Sequence, residues 1–226
     1  MSDKLNRYSV AWAEPLPALI TAWDNPAWSA AAIANIEHFR PEGSSHRPET
    51  SLRLLHNGRM LTGIFQVRDK FVRCIRTNYF DEVWKDSCVE IFLQPRPGGG
   101  YFNLEMNAAG AHLCCYIEDA ERVAGGFKKF TKLPPETGGR ILIQSSLGKV
   151  VEPELAEPVT WQVAFSIPLD VFEEYTGPLG PLSGQCWRGN FFKCAEEISH
   201  PHWASWSPVD EFNFHLPRCF GTISFQ

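Results

Sequence analysis

Alternation of apolar and polar side chains at every second position recurs along the chain, and this feature limits the possible folds most strongly. Residues 101–107 place Phe102, Leu104 and Met106 on one side and only hydrogen-bonding side chains on the other. Residues 87–93 and 160–167 also carry large apolar residues at every second position. Successive side chains of a β-strand point to opposite faces, so a period of two predicts strands in these segments.

Turn residues separate these segments. Asn57-Gly58 supplies the positive φ angles of a two-residue hairpin turn, which predicts a hairpin of residues 52–56 and 59–67. Further strands are predicted at residues 111–117, 140–145, 190–194 and 220–225, with one helical turn at 168–174. The sequence therefore predicts an all-β fold, an antiparallel β-sandwich of the immunoglobulin-like or jelly-roll-like type with short helical turns.

The first fifty residues are the least regular part of the chain. Residues 30–39 are predicted to form a short helix, and residues 40–49 a polar loop bounded by prolines. No internal repeat is evident, and the Pro/Gly clusters are short enough to be loops. Because 44% of the residues are hydrophobic, one large core is feasible, and residues 1–226 are predicted to form a single domain.

The charge pattern disfavours two classes of partner. The formal net charge is −5, and no cluster of Lys and Arg suggests binding to nucleic acid or to an anionic membrane. No segment approaches the roughly 20 apolar residues of a spanning helix. Because no apolar segment follows the polar residues 1–8, a cytoplasmic location is expected; a removed signal peptide would make the protein secreted.

The seven cysteines predict reduced thiols rather than a disulfide framework. Their number is odd, and Cys114 and Cys115 are adjacent. Zinc ligands could come from a set of soft side chains, but no Cys-x-x-Cys pair is present and zinc is disfavoured. That set comprises Cys186, Cys194, His200, His202 and Cys219.

The polar face of residues 101–107 is a candidate ligand surface. Tyr101, Asn103, Glu105 and Asn107 could together bind a polyhydroxylated ligand such as a sugar. The same alternation also describes the solvent side of an antiparallel sheet. The pattern alone leaves both interpretations open.

Three of the eight tryptophans lie in polar, turn-like surroundings, namely Trp84, Trp203 and Trp206. An aromatic ring packs well against the C–H face of a pyranose ring, so these residues are candidates for stacking on a sugar. Each could instead anchor a loop or the core. Trp161, which alternates within an apolar strand, is predicted to be a core residue.

Residues 83–93 (VWKDSCVEIFL) and 101–107 (YFNLEMN) resemble the family 9 carbohydrate-binding modules found attached to xylanases. Ser205-Trp206-Ser207, Phe214 and the run from Pro217 to Gly221 are similar to closing elements of that family. The resemblance extends from about residue 51 to the C-terminus. It implies a β-sandwich that clamps the end of a glucan or xylan chain between two aromatic rings, above polar side chains, with structural calcium.

The resemblance assigns roles to particular residues. Trp84 matches one ring of the clamp, whereas Phe214 falls where the family has a second tryptophan. Glu105 falls where the family has an arginine, so the sugar is expected to differ. The implied calcium would find oxygen ligands at Asp69, Asp81 and Asp86, although their spacing is not that of a known calcium loop. No other cofactor is predicted.

The predicted function is therefore non-catalytic binding of an oligosaccharide or the end of a polysaccharide. Trp84 and Phe214 are expected to stack on the sugar, Asn103, Glu105 and Asn107 to hydrogen-bond it, and Trp203 and Trp206 to line the same end. Two alternatives stay open. One is a glycoside hydrolase using Glu90 and Glu105; the other is a structural or interaction sandwich that has lost sugar binding.

Overall fold

The computed structural model describes residues 5–19 and 22–226. Residues 1–4 and 20–21 of the predicted domain lie outside the described residues. The strands are β1 Arg7–Trp12, β2 Ala34–Ile36, β3 His38–Phe39, β4 Glu49–His56, β5 Met60–Asp69, β6 Val72–Cys74, β7 Cys88–Gln94, β8 Tyr101–Asn107, β9 His112–Val123, β10 Gly126–Lys132, β11 Leu142–Ser145, β12 Val151–Leu155, β13 Val159–Pro168, β14 Cys186–Ala195, β15 His202–Ser205 and β16 Gly221–Phe225.

Helical segments are short. The α-helices are α1 Pro135–Gly138 and α2 Leu169–Thr176, and 3₁₀ turns cover Pro26–Trp28, Val83–Lys85 and Pro217–Cys219. No helix among residues 5–19 and 22–226 is long and apolar enough to cross a membrane.

The strands form two faces joined through β1. One face runs β10-β9-β8-β7-β14-β16, and the other runs β4-β5-β13-β11. Residues 7–10 of β1 pair in parallel with β16, and Ala11 and Trp12 pair in parallel with β4. The predicted all-β sandwich is confirmed. Its other main pairings are antiparallel, so β1 is an exception that the sequence pattern did not indicate.

The predicted hairpin of β4 and β5 forms, with its turn shifted by one residue. The amide of Asn57 donates to the carbonyl of Met60 at 3.3 Å, which places Gly58 and Arg59 at the centre of the turn. Gly58 has φ +77°, whereas Asn57 does not enter the positive-φ region. The Asn57 side chain instead accepts from the amides of Arg59 and Met60.

The predicted helix at residues 30–39 is wrong. Ala34 to Ile36 form β2, which pairs with β4, and residues 38–39 form β3. Ala34 and Ile36 are buried and Asn35 between them is exposed, which is a strand period of two. Packing against β4 therefore determines this segment.

The main core lies between the two faces. It contains Val89, Ile91 and Leu93 of β7 with the apolar side of β8, opposite Phe65, Trp161 and other residues of β4, β5 and β13. The Trp161 side chain is fully buried, as predicted. Alternation in β7 and β8 thus assigns their core sides correctly.

The opposite side of β7, β8 and β14 is also covered. The β9–β10 hairpin and the segment of residues 209–216 fold over it, and a second apolar cluster forms there around Phe92, Tyr101 and Phe220. All of β8 is buried as a result, including Asn103 and Asn107. The interpretation of this polar face as a solvent side is therefore wrong.

Gly189 in β14 allows β7 to approach closely. A Cβ at this position would lie 2.4 Å from the carbonyl oxygen of Phe92 and 2.7 Å from a methyl group of Ile223. Because the first contact is backbone, we expect Gly189→Ala to lower the free energy of unfolding by about 1–3 kcal/mol. Urea denaturation measures this loss, and Gly148→Ala, where the nearest atom is 4.0 Å away, is the matched control. Equal stabilities of the two variants would contradict the expected clash.

Candidate functional site

A cavity of about 530 Å³ opens above the outer side of β7, β8 and β14. This volume lies within the range of about 300–1,000 Å³ that is typical of small-molecule sites. Strand residues form its floor, the turn of residues 80–84 and Trp203 border it, and the β9–β10 hairpin and residues 212–215 cover it.

Aromatic rings form one wall of the cavity. Phe80, Trp84, Trp203 and Phe214 are partly buried and pack against the same group of buried residues, which includes Cys88 and Leu113. The structure thus places the predicted stacking residues Trp84, Trp203 and Phe214 at one site.

The rings of this wall differ in how they are held. Phe214 stacks on Phe192, with ring centroids 4.1 Å apart and planes 17° apart, so only its other face is free for a ligand. Trp203 packs edge-on against Phe212. Trp84 lies in the 3₁₀ turn Val83–Lys85, whose backbone is held to the end of β14 by hydrogen bonds to Lys85 from the amides of Glu196 and Glu197.

Polar side chains of β8 form part of the floor. Asn103 accepts a hydrogen bond from the amide of Cys115 at 3.0 Å and donates one to Glu105 Oε1 at 2.7 Å. Glu105 Oε2 is buried and has no partner among the described residues. A buried acceptor without a partner costs free energy, so a donor from a ligand would stabilise it.

Two carboxyl groups lie next to each other on the floor. Glu90 of β7 is opposite Glu105 of β8 in the strand register. Burial raises the pKa of Glu105 to about 7, although the hydrogen bond from Asn103 and the charge of Arg122 act in the other direction. Burial, with Cys194 and Glu105 nearby, raises the pKa of Glu90 well above its usual range. A protonated carboxyl both donates and accepts, which suits hydroxyl groups.

The covering hairpin adds residues that the sequence analysis missed. Arg122, Phe127 and Lys132 border the cavity, and the guanidinium of Arg122 lies 4.0 Å from the centre of the Phe127 ring. His215 packs against Phe127 and bonds the Tyr101 hydroxyl through Nδ1 at 2.8 Å. Burial, aided by Arg122, lowers the pKa of His215 to about 3, so the ring is neutral.

Two predicted ligand-binding residues lie away from the cavity. Trp206 is 5% exposed, belongs to the main core and packs against Tyr8 and Phe191. Asn107 is on the expected side of β8, but its amide donates to Asp86 and to the carbonyl of Arg76, which cover it. Both predictions are corrected: these residues support the fold near the site and do not line it.

The three aspartates suggested as calcium ligands hold other partners. The Asp86 carboxylate pairs with Arg76, and Asp81 accepts from the amides of Thr77 and Asn78. Asp69 accepts from Trp161 and lies beside Lys193. Their oxygen atoms face donors and cations instead of a shared space, so these residues do not fit the calcium site that the resemblance implies.

The fold and the cavity together define a β-sandwich module with a cavity on one sheet, where aromatic rings border buried polar groups. The family model of carbohydrate-binding family 9 matches residues 27–225. The chain therefore belongs to carbohydrate-binding family 9. No match is found among curated protein sequences.

Solved structures of similar fold agree with this assignment. A candidate carbohydrate-binding protein from Bacteroides uniformis ATCC 8492 is 26% identical, with a TM-score of 0.81, and the match covers 99% of this chain and 100% of that one. A family 9 module from Caldicellulosiruptor kristjanssonii in complex with glucose has a TM-score of 0.64 at 13% identity, over 98% and 96% of the chains. A structure of such a module with cellotriose gives the same TM-score and identity, over 98% and 94%. At 13% identity the likeness shows the fold alone.

Proposed function

We propose that this protein binds the end of a gluco- or xylo-oligosaccharide in the cavity above β7, β8 and β14, and that it does so without catalysis. One observation carries the proposal. Glu105, whose buried Oε2 has no partner in the described part of the chain, lies on the floor of the same cavity whose wall contains Trp84, Trp203 and Phe214. This combination matches the two surfaces of a sugar, which has apolar C–H faces and hydroxyl groups at its edge.

The covered shape of the cavity supports recognition of a chain end. The β9–β10 hairpin and residues 212–215 rise over the strand floor. A flat open sheet would suit a long chain lying across it, whereas a covered floor suits the terminal units of a chain. The stacking faces would be Trp84 and the free face of Phe214, with Asn103 holding Glu105 in place.

Isothermal titration calorimetry with glucose, cellotriose and xylotriose tests the proposal. At least one of these sugars is expected to bind with one site per chain. If the protein recognises chain ends, a long β-glucan at the same mass concentration as cellotriose should bind less, in proportion to its lower molar concentration of chain ends. Absence of heat and of tryptophan fluorescence change across a wide panel of glycans would favour the alternative, an interaction protein that has lost sugar binding.

The positions of Glu90 and Glu105 argue against glycoside hydrolysis. They are register neighbours and project from the same strand floor, whereas hydrolases place two carboxyl groups on either side of the bond that breaks. We expect no release of products when any bound oligosaccharide is incubated with the protein. Product formation that is lost in both Glu90→Gln and Glu105→Gln would overturn this part of the proposal.

A further inference from the structure

Two thiols and a carboxyl group meet on neighbouring strands at the cavity floor, where Glu90 and Cys194 line the cavity and Cys88 is fully buried beside them. Cys88 of β7 is the register partner of Cys194 of β14, and Glu90 is two residues further along β7 on the same side. The two Sγ atoms and a carboxylate oxygen of Glu90 all lie within 4.8 Å of one another. The Cys194 thiol donates to Glu90 Oε1 at 3.1 Å. Sugar binding does not account for two thiols at this position.

The spacing of these atoms suits a small cation with soft ligands. Zinc takes thiolate sulfur at about 2.3 Å and carboxylate oxygen at about 2.0–2.2 Å in tetrahedral geometry. Ligands at those distances are themselves about 3–4 Å apart, so the three groups need only small side-chain adjustments. Calcium and magnesium prefer oxygen ligands and are not suited to this set.

The accessibility of these side chains and the acidic groups around them also favour a cation site. Glu90 and Cys194 border the cavity, so an ion could reach them from solvent. Glu105, opposite Glu90, is 5% exposed and borders the same cavity, and its buried Oε2 has no partner among residues 5–19 and 22–226. The side chains of Glu90, Glu105, Cys88 and Cys194 accept no hydrogen bond from a cationic side chain among the described residues; the nearby Lys193 ammonium group donates to the backbone carbonyl of Cys194 at 3.1 Å.

We propose that Cys88, Glu90 and Cys194 form a binding site for a soft divalent cation of the zinc class, with a fourth position open to the cavity. Water, or a donor atom of a ligand in the cavity, would occupy that position. The proposal concerns these three side chains and does not depend on sugar binding.

Cobalt(II) is the probe, because tetrahedral thiolate coordination gives it a charge-transfer band in the near ultraviolet and ligand-field bands in the visible. The full-length protein, reduced and stripped with a chelator, is titrated with cobalt and then with zinc. We expect one cobalt per chain, a charge-transfer intensity of two thiolates, and loss of the bands when zinc displaces the cobalt. A wild-type protein without a thiolate band would overturn the proposal.

Variants assign the site. Cys88→Ser and Cys194→Ser should each weaken cobalt binding by more than about 100-fold, since even groups outside the ligand set change metal affinity by about 10–100-fold. Cys186→Ser, which removes an exposed thiol at the start of β14, should bind as the wild type does. Glu90→Gln keeps both thiols, and it should retain the charge-transfer band with weaker affinity. Circular dichroism confirms folding, and unchanged binding in folded Cys88→Ser and Cys194→Ser would refute the assignment.

Discussion

Replacement of Trp84 by alanine is expected to weaken oligosaccharide binding by about 30-fold and to leave the protein folded. One face of an indole ring covers about 80 Å² of apolar sugar surface, which at about 25 cal/mol per Å² amounts to ~2 kcal/mol. Trp84 is partly buried and borders the cavity, and its 3₁₀ turn is held by backbone hydrogen bonds that the substitution leaves in place. Calorimetry with the sugar that binds the wild type most tightly measures the loss.

Trp12 provides the matched control for this prediction. Its side chain is 51% exposed, and it packs beside His56 on the other face of the sandwich, away from the cavity. Trp12→Ala removes the same group from the surface, and it should bind sugar as the wild type does. If Trp84→Ala bound sugar normally while remaining folded, the aromatic wall would not be the sugar site and the proposed function would need another surface.

A weaker effect is expected from Phe214. Its ring is smaller than indole, and one of its faces is already occupied by Phe192. This asymmetry agrees with the resemblance to family 9 modules, which implies a phenylalanine at the position of a second tryptophan. It explains why one substitution on this wall should matter more than the other.

Period-two alternation predicted the floor of the site well because it depends on neighbours within one strand. The alternation in residues 101–107 correctly placed Asn103 and Glu105 on one side of β8 and the core residues Phe102, Leu104 and Met106 on the other. Alternation does not show what lies above a strand. Only the folded chain places Asp86 over Asn107 and the β9–β10 hairpin over Glu105.

The sequence pattern did not predict the hairpin of β9 and β10 that covers the cavity, and the reason is physical. The register of β10 with β9 shifts between Phe127 and Lys129 and again between Lys129 and Phe130. The two phenylalanines are therefore three positions apart and still both face the cavity, which breaks the period of two. The adjacent Gly125 and Gly126, both with positive φ, were the remaining local signal of a turn.

Trp84 and Trp206 show the limit of local context most clearly. Both occur in polar runs of sequence, yet one borders the cavity and the other is a core residue. Trp206 is buried because Tyr8, nearly 200 positions earlier, packs edge-on against it through β1. A contact of that separation leaves no trace in the residues around Trp206.

Replacement of Asp69 by asparagine is expected to lower the free energy of unfolding by about 3–5 kcal/mol, because it leaves a buried ammonium group without an anion. Lys193 is fully buried, and its Nζ lies 3.6 Å from Asp69 Oδ2 and 2.8 Å from His202 Nε2. Burial, followed by the charge of Lys193, lowers the pKa of His202 to about 3, so the ring is neutral and accepts a hydrogen bond from the Lys193 ammonium group. The positive charge of Lys193 is therefore balanced by Asp69.

This ion pair connects the two faces of the sandwich. Asp69 ends β5 on one face, and Lys193 lies in β14 on the other, on the same side as the core residue Phe191. His46 and Trp161 also donate to the Asp69 carboxylate, at 2.7 and 3.2 Å. Removal of the Asp69 charge therefore affects a hydrogen-bond and ion-pair network inside the fold. Glu49→Gln is the control and should have no measurable effect on stability, since Glu49 and its partner Arg68 are 75% and 66% exposed.

The pH dependence of stability gives an independent check on the same pair. Burial alone raises the pKa of Asp69, but the charge of Lys193 and the hydrogen bond from His46 act against burial, and the pKa falls to about 2 from an ordinary value of 3.8. A carboxyl group whose pKa is lowered by folding stabilises the folded state at pH values above its pKa in the unfolded chain. This contribution is lost as the pH falls from 3.8 to about 2. Urea denaturation at pH 7 and across this acidic window should show a steeper loss for the wild type than for Asp69→Asn. A double variant with Lys193→Met should recover part of the stability, and a loss below ~1 kcal/mol in Asp69→Asn alone would show that the pair does not stabilise the sandwich.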